Sequence, residues 1–398
     1  MDLKKAIDEA IAKYPTIDLA GPSGVYENTS STTEELTAAK AAVQEAVVAA
    51  AEKSASVAAP QDMTSLIINP TFDVVNDFTG WKGSSFGAGG TTSTCAERYQ
   101  LVFDTWQQID NVPNGVYAIN VDGFFRYGSI DEDYNATKEG KKSLSFIYGT
   151  NVVAEPSTCD TAETPLMTLF AGVTPGITDC GGTDFPAPDG TAYKIPNSML
   201  DFTNFNSAGY YKTNTVLVPV TENSVKIGVK NATSTGWTIV DNFGLKFFGS
   251  GADAYNLLAQ EYAKGASLPE GTIATKSLIN EYNAFVASAK ADNYAEYKEF
   301  VANVAAKKAV VDQNAAVWAE YVELAGMANT LIAEPAYREI AVELNEYLTY
   351  DYAFNLEDLV LTDEELKAEI ATLTKLYEDA KLLTPPGTDV STMLKNTD

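Results

Sequence analysis

Apolar residues recur at helical spacing at Leu3, Ile7, Ala10 and Ile11, and Pro15 stops the pattern, which predicts a short amphipathic helix over Asp2 to Tyr14. A Gly/Ser/Thr loop (Gly21 to Thr33) follows. Thr32 with Glu35 three residues on then forms a capping box and opens an Ala-rich helix from Leu36 to about Ser56. From Asp62 onward the texture changes to short β-branched and aromatic runs separated by Gly, Pro, Asn and Asp, and helical periodicity is lost until Ala252. The strands predicted are Tyr99 to Ile109, Val116 to Tyr127, Lys142 to Tyr148, Thr213 to Val220, Ser224 to Val229 and Trp237 to Phe248, with Pro113-Asn114-Gly115 as a tight turn between the first two. Strands this close together with no helix-length segment between them favour an antiparallel sandwich over a parallel sheet.

Beyond Ser250 the helical pattern returns over Ala252 to Lys264, Thr275 to Lys290, Tyr294 to about Leu331 and Glu334 to about Tyr350. In the longest of these, Tyr297, Phe300, Val301, Val304, Val311, Trp318 and Tyr321 mark an apolar stripe suited to a helical bundle. A last helix opens on a second capping box, Thr362 with Glu365, and runs to about Leu383 before Pro385-Pro386-Gly387. The two capped helices open alike, Thr32-Thr33-Glu34-Glu35-Leu36 against Thr362-Asp363-Glu364-Glu365-Leu366. The stretch from Asp62 to Asn69 returns as Asp389 to Asn396, so the chain is expected to be one helical-sandwich-helical unit of a longer repeating protein. The fold class is therefore α+β and multidomain: an N-terminal helical segment (1–61), an antiparallel β-sandwich (62–249), a C-terminal helical bundle (250–388) and the start of a further repeat (389–398).

Composition narrows the function. With 398 residues, 45% of them apolar and 11% aromatic, the chain can bury at least two cores of ordinary size. The 54 Asp and Glu against 27 Lys and Arg give a net charge of -27, which repels phosphate backbones and argues against nucleic acid. The complete lack of histidine removes the usual general base, the usual zinc ligand and the Ser-His and Cys-His pairs. No apolar run reaches membrane-spanning length. The opening Met-Asp-Leu-Lys-Lys carries no apolar signal core, which fits either a cytosolic protein or one whose export signal has been removed, and the Thr, Ser, Asn, Gly and Tyr of the middle region favour export. Three cysteines are too few for a metal motif, although Cys159 and Cys180 could close a loop disulfide.

Leu66-Ile67-Ile68-Asn69-Pro70-Thr71-Phe72-Asp73 followed by Gly80-Trp81 resembles the opening of family 4, 9 and 22 type carbohydrate-binding modules. Trp106-Gln107-Gln108-Ile109 through Pro113-Asn114-Gly115-Val116-Tyr117 resembles their central hairpin, and Trp237 through Leu245 their closing strand. Phe124-Phe125-Arg126-Tyr127-Gly128 and Ile195-Pro196-Asn197-Ser198-Met199 are similar to sandwich domains of large surface proteins of gut Bacteroidetes. The resemblance covers about half of the chain. It implies a galactose-binding-like jelly roll, an extracellular or bacterial cell-surface location and a glycan partner. It also implies a candidate calcium ion shared by Asp73 and Asp241, although two carboxylates supply few of the six to eight oxygens that calcium takes. The insertion from Asn151 to Thr191, which holds both loop cysteines, departs from the compact modules.

Strand alternation assigns Phe103, Thr105, Gln107, Ile109, Tyr117, Ile119, Val121, Gly123 and Phe125 to the core face. The other face then carries Asp104, Trp106, Gln108, Asn120, Asp122, Phe124 and Arg126. Aromatic rings beside amide, carboxylate and guanidinium groups suit a sugar, the ring stacking on its C–H face and the polar groups bonding its hydroxyls. Trp106, Asn120, Asp122, Phe124 and Arg126 are therefore the candidate ligand-binding residues. The same face could instead dock helices, or Trp106 and Phe124 could pack on each other. Asp131-Glu132-Asp133 reads as a solvated loop. No segment advertises the paired carboxylates of a glycosidase, so the expectation is a non-catalytic module, with an adhesin or spacer that binds protein as the competing function.

Overall fold

A computed structural model describes residues 3–86, 95–212 and 214–383, which divide into two compact units, 1–261 with 290–299, and 262–289 with 300–398. The first unit contains all twelve strands found among the described residues. In chain order they are β1 (Gln61–Asp62), β2 (Lys82–Gly83), β3 (Ala96–Tyr99), β4 (Phe103–Asp110), β5 (Gly115–Arg126), β6 (Ser145–Asn151), β7 (Thr161–Pro165), β8 (Thr183–Pro186), β9 (Ala192–Ile195), β10 (Asn214–Val220), β11 (Ser224–Asn231) and β12 (Trp237–Phe247). One antiparallel sheet runs β1-β12-β5-β10 with β3 also paired to β12, a second runs β2-β4-β11-β6-β7, and β8-β9 form a separate ribbon. Tyr117, Ile119, Val121, Val216, Val218, Leu245 and Phe247 of the first sheet share one buried core with Phe103, Ile109, Ile147, Val225, Ile227 and Val229 of the second. The two large sheets thus form a sandwich, and helix and antiparallel sheet coexist in one chain.

The alternation in β4 and β5 gives the inward set as expected: Phe103, Ile109, Tyr117, Ile119, Val121 and Phe125 all lie in the shared core. The predicted hairpin does not form. β4 pairs with β11 and β5 with β12 and β10, so Asn111–Asn114 carry the chain from one sheet to the other. The β10–β11 link makes the same crossing, and the two arches bond each other. Val112 donates its N–H to the Asn223 carbonyl, the Asn223 side chain donates to the Val112 carbonyl at 2.9 Å, and the Asn223 N–H donates to Asn114 Oδ1 at 2.8 Å. The strand predicted from Tyr99 to Ile109 is also interrupted: Gln100 adopts φ 49, and β3 and β4 join different sheets.

The region between β5 and β10 holds more than the strand predicted from Lys142 to Tyr148, which corresponds to β6. Ser129 and Glu132 form a capping box for a helix over Ile130–Lys138, Ser198 accepts from the Asp201 N–H to open a second over Met199–Ser207, and β7, β8 and β9 lie between them. Phe170, Phe185, Ile195, Phe202, Phe205 and Tyr211 from this region build a second core against Phe124, Trp237 and Ile239 on the outer face of the first sheet. The Cys159–Cys180 disulfide that the sequence allowed is not formed. Both thiols are free and buried, Cys159 beside Ser157 and Tyr294 and Cys180 inside the second core.

The N-terminal helices, α1 (Leu3–Lys13), α2 (Ala20–Glu27) and α3 (Thr33–Ser54), belong to the same unit as the sheets. α2 lies where a loop was expected, and the Thr32 capping box of α3 is formed. Tyr14 and Ala51 enter the sandwich core, and the Tyr14 hydroxyl donates to Gln61 Oε1 at 2.9 Å. On the far side, Tyr294 donates to Asp160 Oδ1 at 2.6 Å. Residues 62–249 expressed alone are therefore expected to be less stable than within the full chain, by on the order of 2 kcal/mol for the lost core cover. Equal urea midpoints for the two would show that the helices contribute nothing.

The second unit is helical. Along the helix Tyr294–Ala333, Phe300, Val301, Val304, Val311, Trp318 and Tyr321 of the expected stripe are all buried within this unit. Trp318 and Tyr321 pack with Leu344, Tyr347, Leu366 and Leu373. The Thr362–Glu365 capping box is formed, at the start of the helix Asp363–Lys381. The expected further repeat over 389–398 lies outside the described residues.

Candidate functional site

Backbone register brings three side chains into a row on the outer face of the first sheet. Trp237 of β12 lies directly opposite Tyr99 of β3 on one side and Arg126 of β5 on the other, with Glu97 two residues along β3 opposite Ile239. Period two puts Glu97, Tyr99, Trp237 and Ile239 on the same surface. The loop before the helix Met199–Ser207 closes the row from above. Glu97, Tyr99, Arg126, Asn197, Ser198, Met199 and Trp237 line a cleft of about 350 Å³.

The cleft is built on buried aromatic packing. Phe124 meets Trp237 edge-on at 5.2 Å between centroids, and the Arg126 guanidinium lies 4.9 Å from the Trp237 ring centroid. Trp237 donates its indole N–H to Glu97 Oε2 at 2.7 Å, and Arg126 donates from Nη1 to Asn197 Oδ1 at 2.6 Å. Arg126 is only 9% exposed, and its Nε finds no partner among the described residues. Burial lowers its pKa, and the neighbouring Glu97 carboxylate works against that shift. Tyr99 is 38% exposed, so its ring is open to a ligand at the rim. The cleft thus combines a held cation with spare donors, a carboxylate with one oxygen engaged and an open aromatic face.

The ligand residues expected from the sequence are not brought together. Trp106 stands on the outer face of the other sheet, half-buried, with Lys226 Nζ 4.4 Å and Lys82 Nζ 5.5 Å from its ring centroid. The cause is the crossing at Asn111–Asn114: outward residues of β4 and of β5 point away from the sandwich in opposite directions. Phe124 is fully buried among Phe202, Tyr211 and Trp237, so it supports the cleft without lining it. Asn120 donates to Thr215 Oγ1 at 2.5 Å, and Asp122 accepts from Asn242 Nδ2 at 2.8 Å with Lys212 Nζ at 3.8 Å. Arg126 alone of the five lines the cleft. Sequence reasoning missed Glu97, Tyr99, Asn197 and Trp237 as site residues. Alternation along β3 and β12 could have grouped each strand's own outward residues, but register across strands is a tertiary fact.

Asp73 and Asp241 lie close enough to interact electrostatically. Desolvation, with Asp122 and Asp73 nearby, raises the Asp241 carboxyl to about 8, and Asn242 donates its N–H to Asp241 Oδ1. Asp73 is exposed and accepts from the Thr71 hydroxyl at 2.6 Å. Among the described residues no group of three or more Cys, Asp or Glu side chains is arranged to hold a metal ion. The run Asp131-Glu132-Asp133 is likewise not a solvated loop. It forms the first turn of the helix Ile130–Lys138, and Asp133 is fully buried, accepting the N–H groups of Tyr127 at 2.8 Å and Phe170 at 3.4 Å. No helix among the described residues is long and apolar enough to cross a membrane.

No protein-family model matches the chain, and no curated protein matches it. Among solved structures it is similar to TmCBM61 in complex with beta-1,4-galactotriose, at 12% identity over 44% of this chain and 94% of that one. The TM-score is 0.23, too low to support an argument about fold or ligand.

Proposed function

We propose that the first unit is a non-catalytic carbohydrate-binding module of the galactose-binding-like jelly-roll type, carried by a secreted or bacterial cell-surface repeat protein, and that the Trp237–Arg126 cleft is its site. The observation that carries the reading is the cleft itself: an open Tyr99 ring beside an anchored guanidinium, a carboxylate and an amide. A sugar offers an apolar face to the ring and hydroxyls to the polar groups, which is the combination such a wall can use. Among the described residues Glu97 is the one carboxylate lining the cleft, whereas glycosidases work with two across the scissile bond.

The adhesin or spacer reading has one observation in its favour, the sealing of Phe124 beneath the second core. A glycan array on the purified chain separates the two. The expected result is recognition of a defined glycan set, with Tyr99→Ala lowering affinity roughly tenfold or more at an unchanged melting temperature, because an exposed ring contributes contact to the ligand and little to the fold. An array with no positives would leave the spacer reading in place.

A further inference from the structure

The polar groups of the cleft also specify what kind of glycan fits. Arg126 is nine-tenths buried and fixed by three separate constraints: the Trp237 ring against its guanidinium, Asn197 on Nη1, and β5 itself, paired on both sides. Its Nε has no partner among the described residues but is sealed from solvent, which leaves the Nη atoms to face the cleft. Glu97 is fixed from the same indole, which occupies Oε2. One wall therefore presents unused donors and an unused acceptor, held by a single Trp237 side chain at their centre.

A carboxylate would satisfy the guanidinium and meet repulsion from Glu97, in a chain whose net charge is already -27. An ammonium group would satisfy Glu97 and be repelled by Arg126. A hydroxyl is both donor and acceptor, so two adjacent hydroxyls can accept from the guanidinium and donate to the carboxylate with no net charge brought into the site. At about 350 Å³ the cleft is at the small end of ligand sites, a scale at which one such pair dominates recognition.

We infer that the cleft recognises an uncharged glycan through a pair of adjacent hydroxyls shared between Arg126 and Glu97, with acidic sugars excluded by Glu97. This rests on the carbohydrate reading of the same cleft. The test starts from a glycan array carrying neutral and uronate-containing glycans. It continues with calorimetric titration of the methyl glycosides of galactose, glucose and mannose against the corresponding uronic acids at pH 7. The expected result is that array positives are neutral and that each uronate binds at least about tenfold more weakly than its neutral counterpart, the scale of losing one charge-assisted hydrogen bond. Glu97→Gln, whose side-chain carbonyl can still accept from Trp237, should narrow that gap while the melting temperature is kept. Array positives confined to acidic glycans, uronates that bind as well as the neutral sugars, or a gap unchanged in Glu97→Gln would each overturn the inference and leave carbohydrate binding standing. A wild-type array with no positives would overturn both.

Discussion

Phe124→Ala is expected to destabilise the first unit by about 3–5 kcal/mol, whereas Trp106→Ala is expected to cost only about 1 kcal/mol. The two side chains look equivalent by strand alternation, and their surroundings set them apart. Phe124 is fully buried and meets Phe202, Tyr211 and Trp237 with ring centroids 5.8, 4.7 and 5.2 Å away. Truncation there leaves a cavity in a rigid aromatic cluster, which relaxes poorly. It also removes the support under Trp237, so glycan affinity should fall together with stability. Trp106 is half-buried between lysine stems on the opposite outer face, and its loss exposes Lys82 and Lys226 to water they already reach. Affinity at the Arg126 cleft should then stay within about twofold of the wild type, since distant sites contribute independently. Urea unfolding and titration of the two single variants check both statements. A Trp106→Ala variant that keeps its fold and loses glycan binding would move the site to the other sheet.

The contrast shows what alternation can and cannot reveal. It separated inward from outward residues in β4 and β5 correctly, because a two-residue period follows from strand geometry alone. It could not decide which sheet each strand joins. Pro113-Asn114-Gly115 has the composition of a hairpin turn, and the partner that makes it an arch between sheets, Asn223, is over a hundred residues away. The two aromatics were therefore grouped on one face when they belong to opposite ones. The helices of the region after β5 had a readable signal in Ser129 with Glu132, the same capping pattern that marked Thr32 and Thr362, but it sits among strands and was masked by them. The C-terminal stripe was legible because many helical turns repeat one period, so a single misplaced residue does not alter the pattern.

Stability of the first unit is expected to fall as pH rises from about 5 to 8, the reverse of what an ordinary set of exposed carboxylates gives. Asp133, desolvated and only partly compensated by Arg126 and the Tyr127 and Phe170 N–H groups, is pushed up to about 7, and Asp241 to about 8. Both are ordinary acids near 3.8 in the unfolded chain. Above that value the unfolded chain has released protons that the folded chain still holds, so each unit of pH favours unfolding by about 1.4 kcal/mol per group until the folded carboxyl also ionises. Their stabilising contribution is complete below about pH 4, declines through 7 for Asp133 and 8 for Asp241, and is flat beyond. Asp77, Asp110, Asp160 and Asp189 shift the other way, held low by hydrogen bonds, and act only below about pH 4, where they weaken the fold as they protonate. The stability maximum should accordingly lie near pH 4–5, with a loss on the order of 7 kcal/mol by pH 8 when the two groups' contributions are added. Asp133→Asn removes one titrating group, and its amide oxygen can still accept from the Tyr127 N–H, so the variant should show a shallower decline and be the more stable protein at pH 8. Urea midpoints taken at half-unit steps from pH 4 to 9 measure both curves. A wild-type profile that is level or rising over pH 5 to 8 would mean that Asp133 and Asp241 are ionised in the folded chain, and the buried carboxylates would then need a cation or water not accounted for by the side chains around them.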